Sequence, residues 1–330
     1  MGKTKALLPL AALLLAACGQ LNLPGLQPKP FKLILDLPSP LQTVAPGGQV
    51  QVPVRAEFKD PRVASATLTV RLADPCAKGT SYCPGWDVSR YPGVEHPTGS
   101  PLTPASPSAS LLFQVDPNAP PQGPFKYELV LSGQDASGNP REEVVPFYLK
   151  ILRPGEISAM EYWNRWREYM GDAPVQEDPE WSFRAWLHGR YLAMNIDKNP
   201  FAHDEDLSYP FSSPEGKAAA GGNVVSRTVY SPPSSWPLES VMTNGFYAVP
   251  FHRLILIAPD VATGGFGLFR AALDDPADRP SAAAAGQPGT VVDAEVVLEV
   301  AQLAVRLDIV AQRRATGGDG LAQHLARAGA

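Results

Sequence analysis

Apolar and polar residues alternate through most of the first half of this chain, and the alternation stops at Pro154-Gly155. Phe31, Leu33, Leu35 and Leu37 fall on one face of an extended segment. Val50, Val52, Val54, Ala56 and Phe58 do the same after the Pro46-Gly47-Gly48 turn, and Ala66, Leu68, Val70 and Leu72 follow. Leu111 to Val115, Tyr127-Leu129-Leu131 and Val145-Phe147-Leu149-Ile151 continue the pattern. A period of two sends successive side chains to opposite faces, so each run predicts a half-buried antiparallel strand. Several such runs separated by turn residues predict an all-β sandwich over residues 31–153. The stretch from Tyr91 to Ser110 is rich in Pro, Ser and Thr and predicts a loop.

Ahead of the sandwich lies a targeting signal. Lys3 and Lys5 precede an apolar run, Leu7 to Ala17, of roughly 11 residues, against the ~20 that a membrane-spanning helix needs. It ends Leu15-Ala16-Ala17-Cys18, which resembles the bacterial lipobox. That resemblance implies a signal peptide over 1–17, cleavage before Cys18, a diacylglycerol thioether on its sulfur and a tether over 18–30. An ordinary signal peptide with a chance cysteine is the alternative. Gly19, being no Asp, is compatible with the outer membrane, so the expected location is the cell envelope or cell surface, outside the cytoplasm. The expected partner is a membrane, through the lipid. With a net charge of -5 and no basic stripe, nucleic acid is not an expected partner. Cys76 and Cys83 are close in sequence, and outside the cytoplasm such a pair predicts a local disulfide worth about 2–3 kcal/mol. Two sulfurs with no second pair do not complete a zinc tetrahedron.

After Pro154-Gly155 the period becomes helical. Ser158-Ala159-Met160-Glu161 has capping-box spacing, Tyr162, Trp163, Trp166, Tyr169 and Met170 supply a stripe, and Gly171 stops it. Asp178-Pro179-Glu180 opens a second helix to about Asn195, and Ser213-Pro214-Glu215 opens a short third one ending at Gly221-Gly222. A fourth is expected around Pro237 to Thr243. Strands are expected at Leu254-Ile255-Leu256 and Gly265-Phe266-Gly267-Leu268-Phe269. The hairpin Tyr127 to Asn139 resembles the closing hairpin of bacterial immunoglobulin-like surface modules, with a spacer as the simplest role.

Asn164-x-x-Arg167, Gly171-x-x-Pro174-Val175-x-x-Asp178-Pro179, a helix carrying His188, then His203, Gly221-Gly222-Asn223, and finally Phe251-His252-Arg253 with Gly264-Gly265-Phe266-Gly267 form an ordered set. That order resembles the CAP superfamily of cysteine-rich secretory, antigen 5 and pathogenesis-related 1 proteins, in its bacterial form. The resemblance implies a multidomain chain: an immunoglobulin-like sandwich, then an α+β CAP domain over 155–270, built as an α–β–α sandwich. It also implies a cavity lined by two His and two Glu. His203 and His252 match the histidines. The Gly-Glu-Asn motif reads Gly221-Gly222-Asn223, so Asn223 is retained and the carboxylate is lost. Glu239 is the nearest candidate for the second acid, and Glu205 is a local substitute. Two imidazoles with a carboxylate and water would suit zinc or another divalent metal. The alternative is that His203 and His252 hydrogen-bond across a shallow groove and hold its shape.

Catalysis lacks its parts. There is no Gly-x-Ser-x-Gly elbow, no thiol left over, and no Glu in the Gly-Glu-Asn position. His188 is expected to be a satisfied structural residue. His96 and His324 belong to no constellation. The leading expectation is a non-catalytic binder of a lipid, glycan or envelope peptide, served by a groove with aromatic walls. A metal-assisted or degenerate hydrolase and a purely structural envelope module remain open alternatives. From Ala271 the composition shifts to Ala, Gly, Arg and Asp. Residues 271–330 are expected to be a divergent tail with a last strand within 291–310, or the product of a shifted reading frame.

Overall fold

A computed structural model describes residues 29–78, 83, 94–97, 99–195, 198, 200–201, 203–221, 227–229, 242–248, 250–259, 261–269 and 293–295. Cys18, Asn223 and Glu239, together with the signal peptide and most of the tail, lie outside them.

Two sheets form the amino-terminal half. The first carries β1 (Phe31–Leu35), β3 (Gln49–Phe58), β7 (Ser108–Val115) and β5 (Val94–Glu95), in the order β1-β3-β7-β5. The second carries β2 (Leu41–Val44), β9 (Pro140–Ile151), β8 (Gln122–Gln134), β4 (Ala66–Leu72) and β6 (Ser100–Leu102), in the order β2-β9-β8-β4-β6. All pairings are antiparallel except β2 with β9, which is parallel. The alternating residues meet between the sheets: Val52, Val54, Leu111 and Phe113 from one, Leu68, Tyr127, Leu129, Phe147 and Leu149 from the other, all buried. Phe113 packs edge-on to Tyr127 at 5.1 Å between ring centroids and lies 4.9 Å from Phe147. An all-β two-sheet module therefore stands where period-two alternation predicts it. The Cys76 and Cys83 sulfurs are joined, with Cα atoms 5.3 Å apart.

The carboxy-terminal half holds helices α1 (Ala159–Met170), α2 (Pro179–Met194), α3 (Pro214–Ala219) and α4 (Pro250–Leu256), with a π-helical turn over Met242–Tyr247. The capping residues act as their chemistry dictates. Ser158 accepts from the Glu161 amide, Gly171 closes α1 in the left-handed region at φ 81°, and Asp178 accepts from the Glu180 and Trp181 amides. Asn164 bonds Val175 in both directions, donating to its carbonyl at 2.9 Å and accepting from its amide at 2.7 Å. Arg167 donates to the carbonyls of Ala173, Leu256 and Ala258. The Asn-x-x-Arg spacing thus fastens the loop after α1, and the end of α4, to one helix face.

The sandwich is not a free-standing spacer. Helix α2 packs against β8 of the second sheet, and one continuous apolar core runs from Leu129 and Phe147 to Phe183, Trp186, Leu187 and Phe269. Phe125 of β8 meets Trp186 edge-on at 5.1 Å. This cover explains β9, whose burial alternates as far as Pro146 and is then continuous from Phe147 to Ile151. Tyr148 and Lys150, on the face expected to be wet, reach acids of the helical half instead: Tyr148 donates to Glu180 at 2.7 Å and Lys150 to Glu177 at 2.7 Å. Backbone bonds cross too, since Gly123 and Leu268 exchange amide–carbonyl bonds at 2.9 Å each way. Deepest of all, the Arg190 guanidinium forks onto Asp74 at 2.6 and 2.9 Å, with both side chains essentially inaccessible.

Several expectations are corrected. Leu254 to Leu256 is helical, being the end of α4, because Pro250 starts a helix whose last carbonyl, that of Leu256, accepts from Trp163 and Arg167. Gly265 to Phe269 carries a single bridge, at Leu268, because it lies on a helix instead of beside strands. A Cβ at Gly267 would stand 1.9 Å from the Trp186 amide nitrogen, and one at Gly265 2.5 Å from that of Ser182, so these glycines admit the segment against α2. The described residues of this half form two short strand pairs. They contain a parallel pair of β10 (Gln176–Glu177) with β12 (Thr263–Gly264), and an antiparallel pair of β11 (Arg227–Val229) with β13 (Asp293–Glu295). The latter strand falls within the 291–310 stretch.

Replacing Gly267 with Ala is expected to cost at least the ~1–3 kcal/mol of an overpacked site, since its neighbour is helix backbone and cannot rotate away. Urea unfolding measures it, and a midpoint equal to that of the unaltered protein would contradict the close approach. Asp74→Ala strands a buried guanidinium and is expected to cost about 3–5 kcal/mol, while Asp74→Leu combined with Arg190→Met should cost distinctly less. Both proteins should unfold in one transition; separate transitions for strand and helix signals would refute the shared core.

Candidate functional site

Helix α2 positions the candidate residues. Its sequence is apolar almost all round, because one side faces the sheet and another receives the following loop; everything from Ser182 to Met194 except Arg184 is buried. His188 and Arg190 therefore sit in the interior. His188 Nδ1 lies 3.0 Å from Glu205 Oε1, and both side chains have no exposed surface. The second oxygen of Glu205 accepts from the Ser213 amide at 2.8 Å, and Lys217 donates to the Glu205 carbonyl at 2.7 Å. Gly216 is pressed on the carboxylate: a Cβ there would stand 2.3 Å from Glu205 Oε1. Ser213 in turn caps α3 by accepting from the Gly216 amide. Asn195 fixes the loop at its other end by donating to the Tyr191 and Pro210 carbonyls. Phe211 takes φ 61°, a costly conformation for a non-glycine, and places its buried ring about 6.0 Å from the Arg190 guanidinium.

Burial pushes the Glu205 carboxyl above its usual range, against the opposing pull of His188, the Ser213 amide and Arg190. Glu180, at the junction with the sandwich, goes the other way. Burial would raise it, but Lys126, Tyr148 and Arg184 all serve it, and its carboxyl lies below the usual range.

The predicted site residues separate. His203 is exposed, with its ring 5.9 Å from that of Phe201. Glu205, two residues on, faces inward to His188 and Ser213 and is not a partner for His203 in a metal site. His252 lies on α4, in a helix whose description does not extend to that side chain, and Asn223 and Glu239 fall outside the described residues. Among the described residues no three His, Cys, Asp or Glu side chains converge to hold a metal ion. The pair that sequence reasoning missed is His188–Glu205. His188 was legible as structural, but nothing in the spacing of 17 residues signals which acid it meets.

No family model matches the chain, and no curated protein matches it. Solved structures with partial similarity include a two-domain protein of unknown function from Bacteroides fragilis, at 11% identity over 39% of this chain and 48% of that one, with a TM-score of 0.28. A PapD-like domain of human CEP192 is 11% identical over 47% of this chain and 96% of its own, TM-score 0.23. The periplasmic chaperone SfaE is 14% identical over 39% and 60%, TM-score 0.27. The chain spans about half the length of the Bacteroides protein. Scores this low carry no argument about what the chain does.

Buried Glu205 and half-buried Glu180 give opposite pH signatures. Glu205 holds its proton more tightly when folded, so its contribution is fullest below the usual glutamate value of 4.5 and is lost as pH rises through the folded value. Glu180 holds its proton less tightly, so its contribution is present above that value and is lost as pH falls through the folded one. In urea unfolding at a series of pH values, Glu205→Gln should flatten the first loss and Glu180→Gln the second. Profiles parallel to that of the unaltered protein would contradict these environments.

Proposed function

We propose that this chain is a lipid-anchored envelope protein with an immunoglobulin-like module and a divergent CAP-like helical part, which binds a lipid, glycan or envelope peptide without catalysis. The observation that carries the reading is the orientation of the loop between α2 and α3. Glu205 clamps it from inside, while Phe201 and Leu207 stand 71% and 53% exposed with His203 beside Phe201. Large apolar side chains held outward on a fastened loop form a pre-organised contact surface, which lowers the entropic cost of binding. Glu205, the acid named as its local partner, is engaged with His188, and exposed His203 contributes a polar edge to that surface. Support for the CAP-like reading lies in the Asn164–Val175 pair, the Arg167 donors and the caps at Gly171 and Asp178, each occupying its motif position.

The test uses the full mature protein isolated from its native membrane. Intact mass should show a diacylglycerol modification on Cys18. Vesicles of envelope lipids and soluble envelope glycan and peptide fragments then serve as probes. The pair Phe201→Ala with His203→Ala should weaken the retained interaction at least tenfold, or about 1.4 kcal/mol. Unchanged affinity in that double variant would place the ligand elsewhere.

A further inference from the structure

Where β4 ends and helices α2 and α3 begin, the surface folds into an open cleft of about 500 Å³. That volume lies in the ~300–1,000 Å³ range of small-ligand sites, which favour junctions between packed parts of a chain. Leu72 and the buried ring of Phe183 supply apolar lining. Most charges of the wall are already paired: Arg71 with Glu128, and Lys126 with Glu180 at 2.6 Å.

Two are not fully engaged. Arg184 gives its Nε–H to Glu180 at 3.2 Å, and its guanidinium lies over the Trp181 ring, 5.0 Å from the centroid. Among the described residues its terminal nitrogens meet no acceptor within bonding distance. Stacking fixes the plane of the fork and leaves that edge suited to a carboxylate. Glu215 lines the same cleft from the first turn of α3, and among the described residues no donor reaches its side chain.

The lining therefore offers one cationic fork, one carboxylate and an apolar surface. A lone anion would meet Glu128, Glu180 and Glu215; a lone cation would meet Arg71, Lys126 and Arg184. A neutral ligand would leave both remaining charges unanswered. We propose that the cleft binds a short peptide with free ends, its carboxylate on Arg184, its ammonium on Glu215 and an apolar side chain on Phe183 and Leu72. This site is separate from the Phe201–Leu207 loop and does not depend on it.

Calorimetric titration of the full mature chain with glycyl-leucyl-glycine tests the proposal, beside the N-acetylated and C-amidated forms of the same peptide. Saturable binding is expected, weakened about tenfold by either cap. Arg184→Gln should become indifferent to amidation and Glu215→Gln to acetylation. Both side chains are partly exposed, and circular dichroism checks that the variants are folded. The loop variant with Phe201→Ala and His203→Ala should bind the peptide as before, which separates this site from the loop surface. No saturable binding by the unaltered chain, equal binding of capped and free peptides, or variants that still discriminate the caps would overturn the proposal.

Discussion

A guanidinium with no access to water must find its counter-charge inside the protein, and for Arg190 that charge comes from the other half of the chain. Asp74 stands just past β4, where it also accepts from the Cys76 amide at 2.8 Å and so fixes the turn that carries the disulfide. Trp186 lies beneath the guanidinium and Phe211 on a further side. Neither half could close around its own member of this pair without leaving a buried ion alone. The junction is built around that requirement: apolar contacts at Phe125 and Trp186, a largely buried pair at Lys150–Glu177 and a half-buried one at Lys126–Glu180.

Local chemistry was largely readable. Alternation located the longer strands, whereas β5, β6 and the start of β7 fall in the 91–110 stretch that reads as a loop; Ser158, Gly171, Asp178 and Ser213 marked helix ends where their side chains or backbone act. The junction was not readable, because alternation reports one buried face and cannot say that the second is covered as well. Tyr148 and Lys150 have polar tips, so they looked like solvent-facing residues while their stems and partners place them under α2. The Gly265 to Phe269 run reads as a strand but is none beyond the bridge at Leu268. Its glycines answer to helix backbone that approaches from elsewhere in the chain, a cause that sequence periodicity does not carry.

The candidate site followed the same division. His188 could be recognised as interior from its place in an apolar helix, and His203 could be placed near the turn before α3. Glu205 could have faced either histidine. What decides it is Ser213, whose amide needs an acceptor at the start of α3, and Gly216, which leaves room for a carboxylate and for nothing larger. Packing of one short helix thus determines which histidine gains the acid, and a family cavity inferred from motif order has no access to that.

Pro154 and Gly155 lie exposed in the connection between strand and helix, with open space around Gly155. The point where the sequence changes texture is thus one of the places where the fold depends least on covalent continuity. A chain nicked there would stay assembled, as two complementary fragments held by a common core, a backbone bridge and a buried ion pair. Conversely, the sandwich transplanted alone would carry Phe125 and Tyr148, stripped of their helical partners, into water. In this molecule the unit that folds is the pair of halves, not the domain that the strand pattern outlines.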